Sequence, residues 1–201
     1  MTRFDYHTAF SRNIGWLTPM EQAILRGKRV AIAGLGGVGG SHLLTLTRLG
    51  IGAFTIADLD AFELANLNRQ AGARISTMGQ QKTDALCAMA RDINPELVIS
   101  TFDRGINDAN IDGFLQEADL YVDGLDYFAV PARRTVFSAC AKKAIPAVTA
   151  APLGMGAAVL NFLPGGMSFE EYFQLEGQPE QEQLIRFLLG LSPRMLQRGY
   201  L

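Results

Sequence analysis

Arg29-Val30-Ala31-Ile32-Ala33-Gly34-Leu35-Gly36-Gly37-Val38-Gly39-Gly40 decides the fold. After Arg29 its next four residues are apolar, two of them β-branched, and stop at glycine, the pattern of a buried strand. Gly34, Gly36 and Gly39 then satisfy G-x-G-x-x-G. Apolar residues at Val38, Leu43, Leu46 and Leu49 have helical spacing, and Gly50 closes that helix. Ala53–Ala57 reads as a second strand. Strand, glycine loop, helix and strand within about 30 residues make a βαβ unit. In such a unit the backbone N–H groups at the helix N-terminus face a phosphate, and missing side chains let it approach. The loop alone does not identify the nucleotide. ATP, a dinucleotide such as NAD and a tight turn with no ligand all remain open.

The alternation extends in both directions. Upstream, Thr18-Pro19-Met20-Glu21 reads as a helix start: threonine as N-cap, proline as first helical residue, Glu21 as capping-box partner. Downstream, helices are expected over 80–93, 110–117 and 130–143, and strands over 97–102, 120–122 and 147–150. The apolar run 156–163 reads as a strand of open direction. The fold class is therefore α/β, a Rossmann-like, doubly wound, mostly parallel sheet. Residues 1–27 form an N-terminal helical segment and 28–166 the nucleotide-binding domain. The tail 167–201 carries no parallel-sheet signal, contains an amphipathic helix over 183–191, and is expected to be part of a truncated C-terminal half. Core packing is the expected fate of Phe169, Tyr172 and Phe173.

Composition removes several function classes. The chain has 201 residues, 48% of them hydrophobic, enough for one substantial core. Eighteen basic against 20 acidic residues leave a net charge of -2, so nucleic acid is not the default partner. The two cysteines, Cys87 and Cys140, are far apart and fall within helical patterns, so no zinc site and no disulfide scaffold is expected, and both read as buried free thiols. The N-terminus has no apolar signal core and no apolar run reaches membrane-spanning length, which points to a reducing, cytoplasmic setting.

The stretch after the second strand is unusual for a dehydrogenase. Asp58, Asp60, Asn66, Asn68, Arg69, Gln70 and Lys82 fall beyond the C-terminal edge of the sheet, where ligands of open parallel sheets bind. An arginine and a lysine there suit a triphosphate better than NAD. Asp123 and Asp126 reach the same edge after the fourth strand. Either could hold Mg²⁺ against phosphate, and either could instead cap the helix that comes next. Singly, each of these side chains also fits a solvated loop. The histidines, His7 and His42, add no catalytic signal.

Together these residues resemble the ThiF/MoeB/HesA family, relatives of the ubiquitin-activating enzymes. The matching pieces are Gly34 to Gly39, Asp58-Leu59-Asp60, Asn66-Leu67-Asn68-Arg69-Gln70, Lys82, and Asp123 to Asp126, with Phe10-Ser11-Arg12-Asn13 near the N-terminus; the resemblance covers about residues 10 to 163. It implies ATP and Mg²⁺ as cofactors and an adenylyltransferase as the activity. Gly34, Gly36, Gly37 and Gly39 would cradle phosphate, Asp58 would bind the ribose with Asp60 and Gln70 nearby, and Asn66, Arg69 and Lys82 would contact the triphosphate. Asp126 would place Mg²⁺. Arg12 would be an arginine finger lent by the second subunit of a homodimer. The acyl group activated would be the C-terminal glycine of a ubiquitin-like or sulfur-carrier protein. Asn66 to Gln70 also resembles the threonylcarbamoyladenosine dehydratases, which would make a modified tRNA the partner. A non-catalytic nucleotide-binding relative is a third possibility. Tyr127 stands where the family commonly has asparagine, and the family's zinc cysteines and catalytic-cysteine loop have no counterpart.

Overall fold

The computed structural model describes residues 3–192. In chain order, the elements are α1 (Tyr6–Ala9), α2 (Pro19–Arg26), β1 (Arg29–Ala33), α3 (Gly37–Leu49), β2 (Ala53–Ala57), α4 (Lys82–Ile93), β3 (Val98–Phe102), α5 (Ile111–Phe114), β4 (Leu120–Asp123), α6 (Val130–Lys142), β5 (Ala147–Leu153), β6 (Gly156–Phe162), α7 (Phe169–Phe173) and α8 (Glu180–Leu191). Six strands form one sheet in the order β3-β2-β1-β4-β5-β6. The pairs among β1 to β5 are parallel, with Ile32 opposite both Ile56 and Val122; β6 returns antiparallel to β5. The doubly wound expectation holds, and the direction of 156–162 is settled by the short Gly154 turn, which is too short for a parallel crossover. The predicted helix over 110–117 is shorter than expected, and the strand from 147 runs three residues further.

Alternation along β1 sends residues to two separate cores. Val30 and Ile32 face Leu43, Phe54, Ile56 and Leu86 beneath α3 and α4. Ala31 and Ala33 face Phe114, Tyr121 and Phe137 beneath α5 and α6. Strands buried on both faces are apolar at nearly every position, which is why β1 and β2 are legible as continuous runs. Each fully buried Phe, Ile or Leu here contributes about 1.5–3 kcal/mol. The described part of the tail belongs to the second core. Phe169 stacks on Phe137 with ring centroids 4.4 Å apart, and Phe173 and Phe187 close around them.

The winding reverses between β1 and β4, so a crevice opens where the loops after these two strands diverge. The glycine loop and the polar loop after β2 both converge on it. Among the described residues no helix is long and apolar enough to cross a membrane.

The segment before β1 performs a different task. A helix leaves its last four carbonyls without intrahelical donors. Gly50 closes α3 in the left-handed conformation, φ 98°. Side chains from the N-terminal segment then take the remaining carbonyls. The Tyr6 hydroxyl donates to Gly50 O at 2.6 Å. Asn13 Nδ2 donates to Arg48 O and Leu49 O, at 3.2 and 3.1 Å. Gln22 Nε2 donates to Leu49 O at 2.9 Å and to the Tyr6 hydroxyl at 3.0 Å, and Gln22 Oε1 accepts from Asn13. The Thr18–Glu21 capping box starts the helix that delivers Gln22.

Gln22 is 5% exposed, so its partners cannot turn to water if it is removed. Gln22→Leu is expected to lower unfolding stability by about 1–3 kcal/mol in urea titrations, with an unchanged denaturant slope. A loss below about 0.5 kcal/mol, the range of ordinary surface substitutions, would refute this role for the segment.

Candidate functional site

The glycine loop is built by backbone contact. Gly34 turns with φ 82°, and any side chain there would strike the Gly124 carbonyl. A Cβ on Gly39 would strike Gly34 O, and one on Gly124 would strike Gly34 O and the Gly39 backbone. These three glycines let the first turn of α3 sink between the ends of β1 and β4. Gly34 N donates to Ala57 O and Gly124 N to Ala33 O, both at 2.8 Å, tying the loop to both neighbours of β1. The Asp58 carboxylate completes the frame, accepting from Leu35 N at 2.6 Å and from Asp60 N at 2.8 Å. Gly36 caps α3 without any side-chain hydrogen bond, so the helix opens on the cleft with its own N–H groups.

The loop after β2 supplies the polar wall. Asn66 Oδ1 accepts from Glu63 N and fixes a short 3₁₀ turn, from which Arg69 and Gln70 follow. Arg69 lies alongside Gly37, and its Nη1 donates to Ala65 O and Asn68 Oδ1, both neutral acceptors. Gln70 is 7% exposed, lies against Gly36, and its Oε1 has no protein partner. Lys82 opens α4. Its Nζ meets Asp60 Oδ2 at 2.8 Å, and the residue is 5% exposed. Lys82 is thus a buried, paired side chain and not a solvated one.

The opposite wall comes from β4, β5 and the tail. Asp123 is 2% exposed and uses both oxygens. Oδ2 accepts from Arg133 Nε at 2.7 Å and from the Thr149 hydroxyl at 2.8 Å; Oδ1 accepts from Leu125 N and the Tyr121 hydroxyl. Burial and the adjacent Asp123 push the Tyr121 phenol well above its ordinary range, so it stays a neutral donor. Asp123 is thus a buried support of the turn. Asp126 is exposed, accepts from Phe128 N with Oδ1, and leaves Oδ2 without a partner among the described residues. Of the two carboxylates, Asp126 fits a metal held mainly by phosphate and water. Tyr127, the departure from the resembled family, donates its hydroxyl to Leu184 O of α8 at 2.7 Å. Burial raises its pKa. It fastens the tail helix over the cleft.

The result is one cleft of about 470 Å³. Gly34, Gly36, Gly37, Asp58, Asp60 and Asn66 line it, together with Arg69, Gln70, Lys82 and Asp126. Gly39 lies beneath, where it permits the loop to close. Arg12 is not among them. It is exposed on the 3₁₀ turn whose neighbour Asn13 bonds the far end of α3, roughly 18 Å from the loop at about 1.5 Å rise per residue. Sequence reading missed Arg133, which reaches the cleft from α6, and Phe187, Leu188 and Leu191 of α8. The fit to ATP rests on the uncapped helix N-terminus, the unpaired Gln70 Oε1 and the Arg69 and Lys82 charges facing it.

A model described as "ThiF family" matches residues 10–195. Among curated proteins, the chain is 32% identical to a tRNA threonylcarbamoyladenosine dehydratase of Haemophilus influenzae, over 74% of this chain and 57% of that protein. It is 32% identical to a molybdopterin-synthase adenylyltransferase of Escherichia coli, over 70% of this chain and 56% of that protein. Among solved structures, it resembles an E. coli tRNA N6-threonylcarbamoyladenosine dehydratase in complex with ATP, with TM-score 0.71 and 25% identity, over 78% of this chain and 64% of that one. The chain spans a little over half the length of these curated relatives.

Neither cysteine joins the site. Cys87 and Cys140 are both buried. Burial raises the Cys87 thiol and pushes Cys140 up to about 12. A raised pKa keeps the thiol protonated at every pH below it, so almost no thiolate exists at Cys140 at neutral pH. Both residues should resist iodoacetamide at pH 8 in the folded protein and be modified promptly in guanidinium, read by intact mass. Fast native labelling would refute the burial of both.

Proposed function

The chain belongs to the ThiF family, and on that premise we propose that it binds Mg·ATP in this cleft and transfers AMP to a carboxylate, releasing pyrophosphate. The observation that carries this reading is the convergence of the uncapped helix start, Arg69, Gln70, Lys82 and Asp126 in a single cleft at the switch point. A carboxylate oxygen forms a bond to the α-phosphorus. The bond from that phosphorus to the bridging oxygen breaks, and pyrophosphate leaves with the electron pair. No redox partner and no protein nucleophile is required, so positioning and charge neutralisation are the main tasks.

The contacts support each role. The α3 N–H groups and Gly36 and Gly37 receive phosphate. Arg69, which meets only neutral acceptors, and Lys82, held straight by Asp60, offset its charge. Asn66 and Gln70 supply amides, and Gln70 Oε1 gains a partner when a ligand donates to it. Asp58, already fixed by Leu35 N and Asp60 N, retains lone pairs for a ribose hydroxyl. Magnesium bound near Asp126 would supply further charge neutralisation on the phosphates. Arg12, mounted at the far end of α3, reaches a nucleotide only from a second copy, which supports a homodimer in the reducing cytoplasm. The acyl group is assigned to the C-terminal glycine of a ubiquitin-like or sulfur-carrier protein. A second reading takes a modified tRNA base as substrate. Asn66-Leu67-Asn68-Arg69-Gln70 and the likeness to the Haemophilus influenzae dehydratase favour it.

Radiolabelled pyrophosphate should exchange into ATP with a panel of carrier proteins, or with threonylcarbamoyladenosine-modified tRNA. Arg69→Ala and Lys82→Ala should each reduce exchange by about 10²-fold or more while the circular dichroism spectrum is retained. Exchange surviving both substitutions would remove the site assignment. An ATP-bound dimer inert with every acceptor would count against adenylation itself.

A further inference from the structure

We infer that Arg133 receives the acyl carboxylate, and that the adjacent half of the cleft is an apolar slot for an uncharged acyl chain. The inference rests on the adenylation reading and deepens it.

The two halves of the cleft differ in chemistry. On the β1–β2 side, the helix start, Arg69 and Lys82 account for phosphate. On the β4–β5 side, Arg133 is the one cation among the described residues lining the cleft. It is 3% exposed. Its Nε bonds Asp123 and its Nη2 bonds Leu125 O and Asp126 O, at 2.7 and 3.2 Å. Its Nη1 has no partner. A buried donor left unpaired is destabilising, and more so when it is charged, so the fold alone gives no reason for the orphan.

The position suits a carboxylate. Strand order puts Arg133 across the switch point from Arg69 and Lys82. With phosphate held by the β1–β2 wall, an oxygen held on the facing wall would suit the in-line geometry that displacement needs. The Asp123 pair neutralises Arg133, so it offers directed N–H groups and little attraction for a phosphate. With Nε and Nη2 engaged, Nη1 is the nitrogen left to donate a charge-assisted hydrogen bond to a carboxylate oxygen. Phe187 lies over its face, 4.5 Å from Cζ to the ring centroid, and shields the group from water. Around it, Ala151, Pro152, Leu153, Leu188 and Leu191 present no charge. A charged side chain next to the reacting carboxyl would be desolvated there without a partner.

The probes are N-acetylglycylglycine and its C-terminal amide, titrated by NMR into the protein saturated with Mg²⁺ and α,β-methylene-ATP. Wild type should bind the acid at least tenfold more tightly than the amide. Arg133→Lys keeps the charge beside Asp123 but loses the free Nη1 donor, and should bring that preference below threefold while the nucleotide analogue still binds. The neutral pair Asp123→Asn with Arg133→Gln avoids a lone buried charge and should give the same loss if the lysine variant fails to fold. Equal binding of acid and amide by wild type, binding of neither, or a preference that survives both variants would overturn the assignment. Failure of the analogue itself to bind would instead remove the adenylation reading, and Arg133's role with it.

Discussion

Three backbones meet at one point, and the molecule is arranged around that meeting. Gly34, Gly39 and Gly124 approach so closely that none has room for a methyl group. The contact joins the exit of β1, the start of α3 and the exit of β4. Without it α3 would stand further from the sheet, and its N–H groups would no longer share a cleft with the turn carrying Asp126. The hydrogen bonds from Gly34 N to Ala57 O and from Gly124 N to Ala33 O hold the same point in register with both neighbouring strands. The phosphate side of the cleft is therefore anchored to the centre of the sheet, although its polar groups belong to loops and helix ends.

The two cleft walls are braced differently. On the β2 side, Lys82 crosses to Asp60 and the 3₁₀ turns stabilise themselves through Asn66 and Thr77. These are short-range devices. On the β4 side, the bracing is a buried cluster of Tyr121, Asp123, Arg133 and Thr149, drawn from β4, α6 and β5. Breaking such a pair by removing one partner costs about 3–5 kcal/mol, because the other charge stays buried. The buried cluster thus holds the turn before Asp126 in one arrangement, while on the polar wall Arg69 meets only neutral acceptors and can turn to a ligand.

The strands, the glycine loop and the polar run are legible in the sequence because their signals are local. Arg29–Ala33 and Ala53–Ala57 are continuous apolar runs, and Asn66 to Lys82 lies in one short span. Ten of the twelve residues given a site role from sequence line the cleft; Gly39 underlies it, and Arg12 lies at the other end of α3. Arg133 is not legible. It lies in a helical stretch beside Arg134, which pairs at the surface with Glu170, and nothing in Ala132-Arg133-Arg134-Thr135 distinguishes the buried arginine from the half-exposed one. Helical phase could have separated them: Arg133 is in step with Val130, Val136, Phe137 and Cys140, all on the buried side. The tail reads as a separate unit because its pattern changes after Gly166. Its place over the cleft depends on Tyr127 and on aromatic contacts between residues far apart in sequence.

The clamp on the far end of α3 also fixes an order of assembly. Tyr6, Asn13 and Gln22 bond carbonyls of residues 48 to 50, which emerge from the ribosome after them. Those carbonyls point outward in a usable array only once α3 is helical and Gly50 has turned. Helix α3 in turn gains most of its stability by packing on β1 and β2. These residues, made before α3, can therefore take up their native bonds only once α3 has formed. During that interval their apolar and amide side chains are exposed to solvent and free to meet other chains.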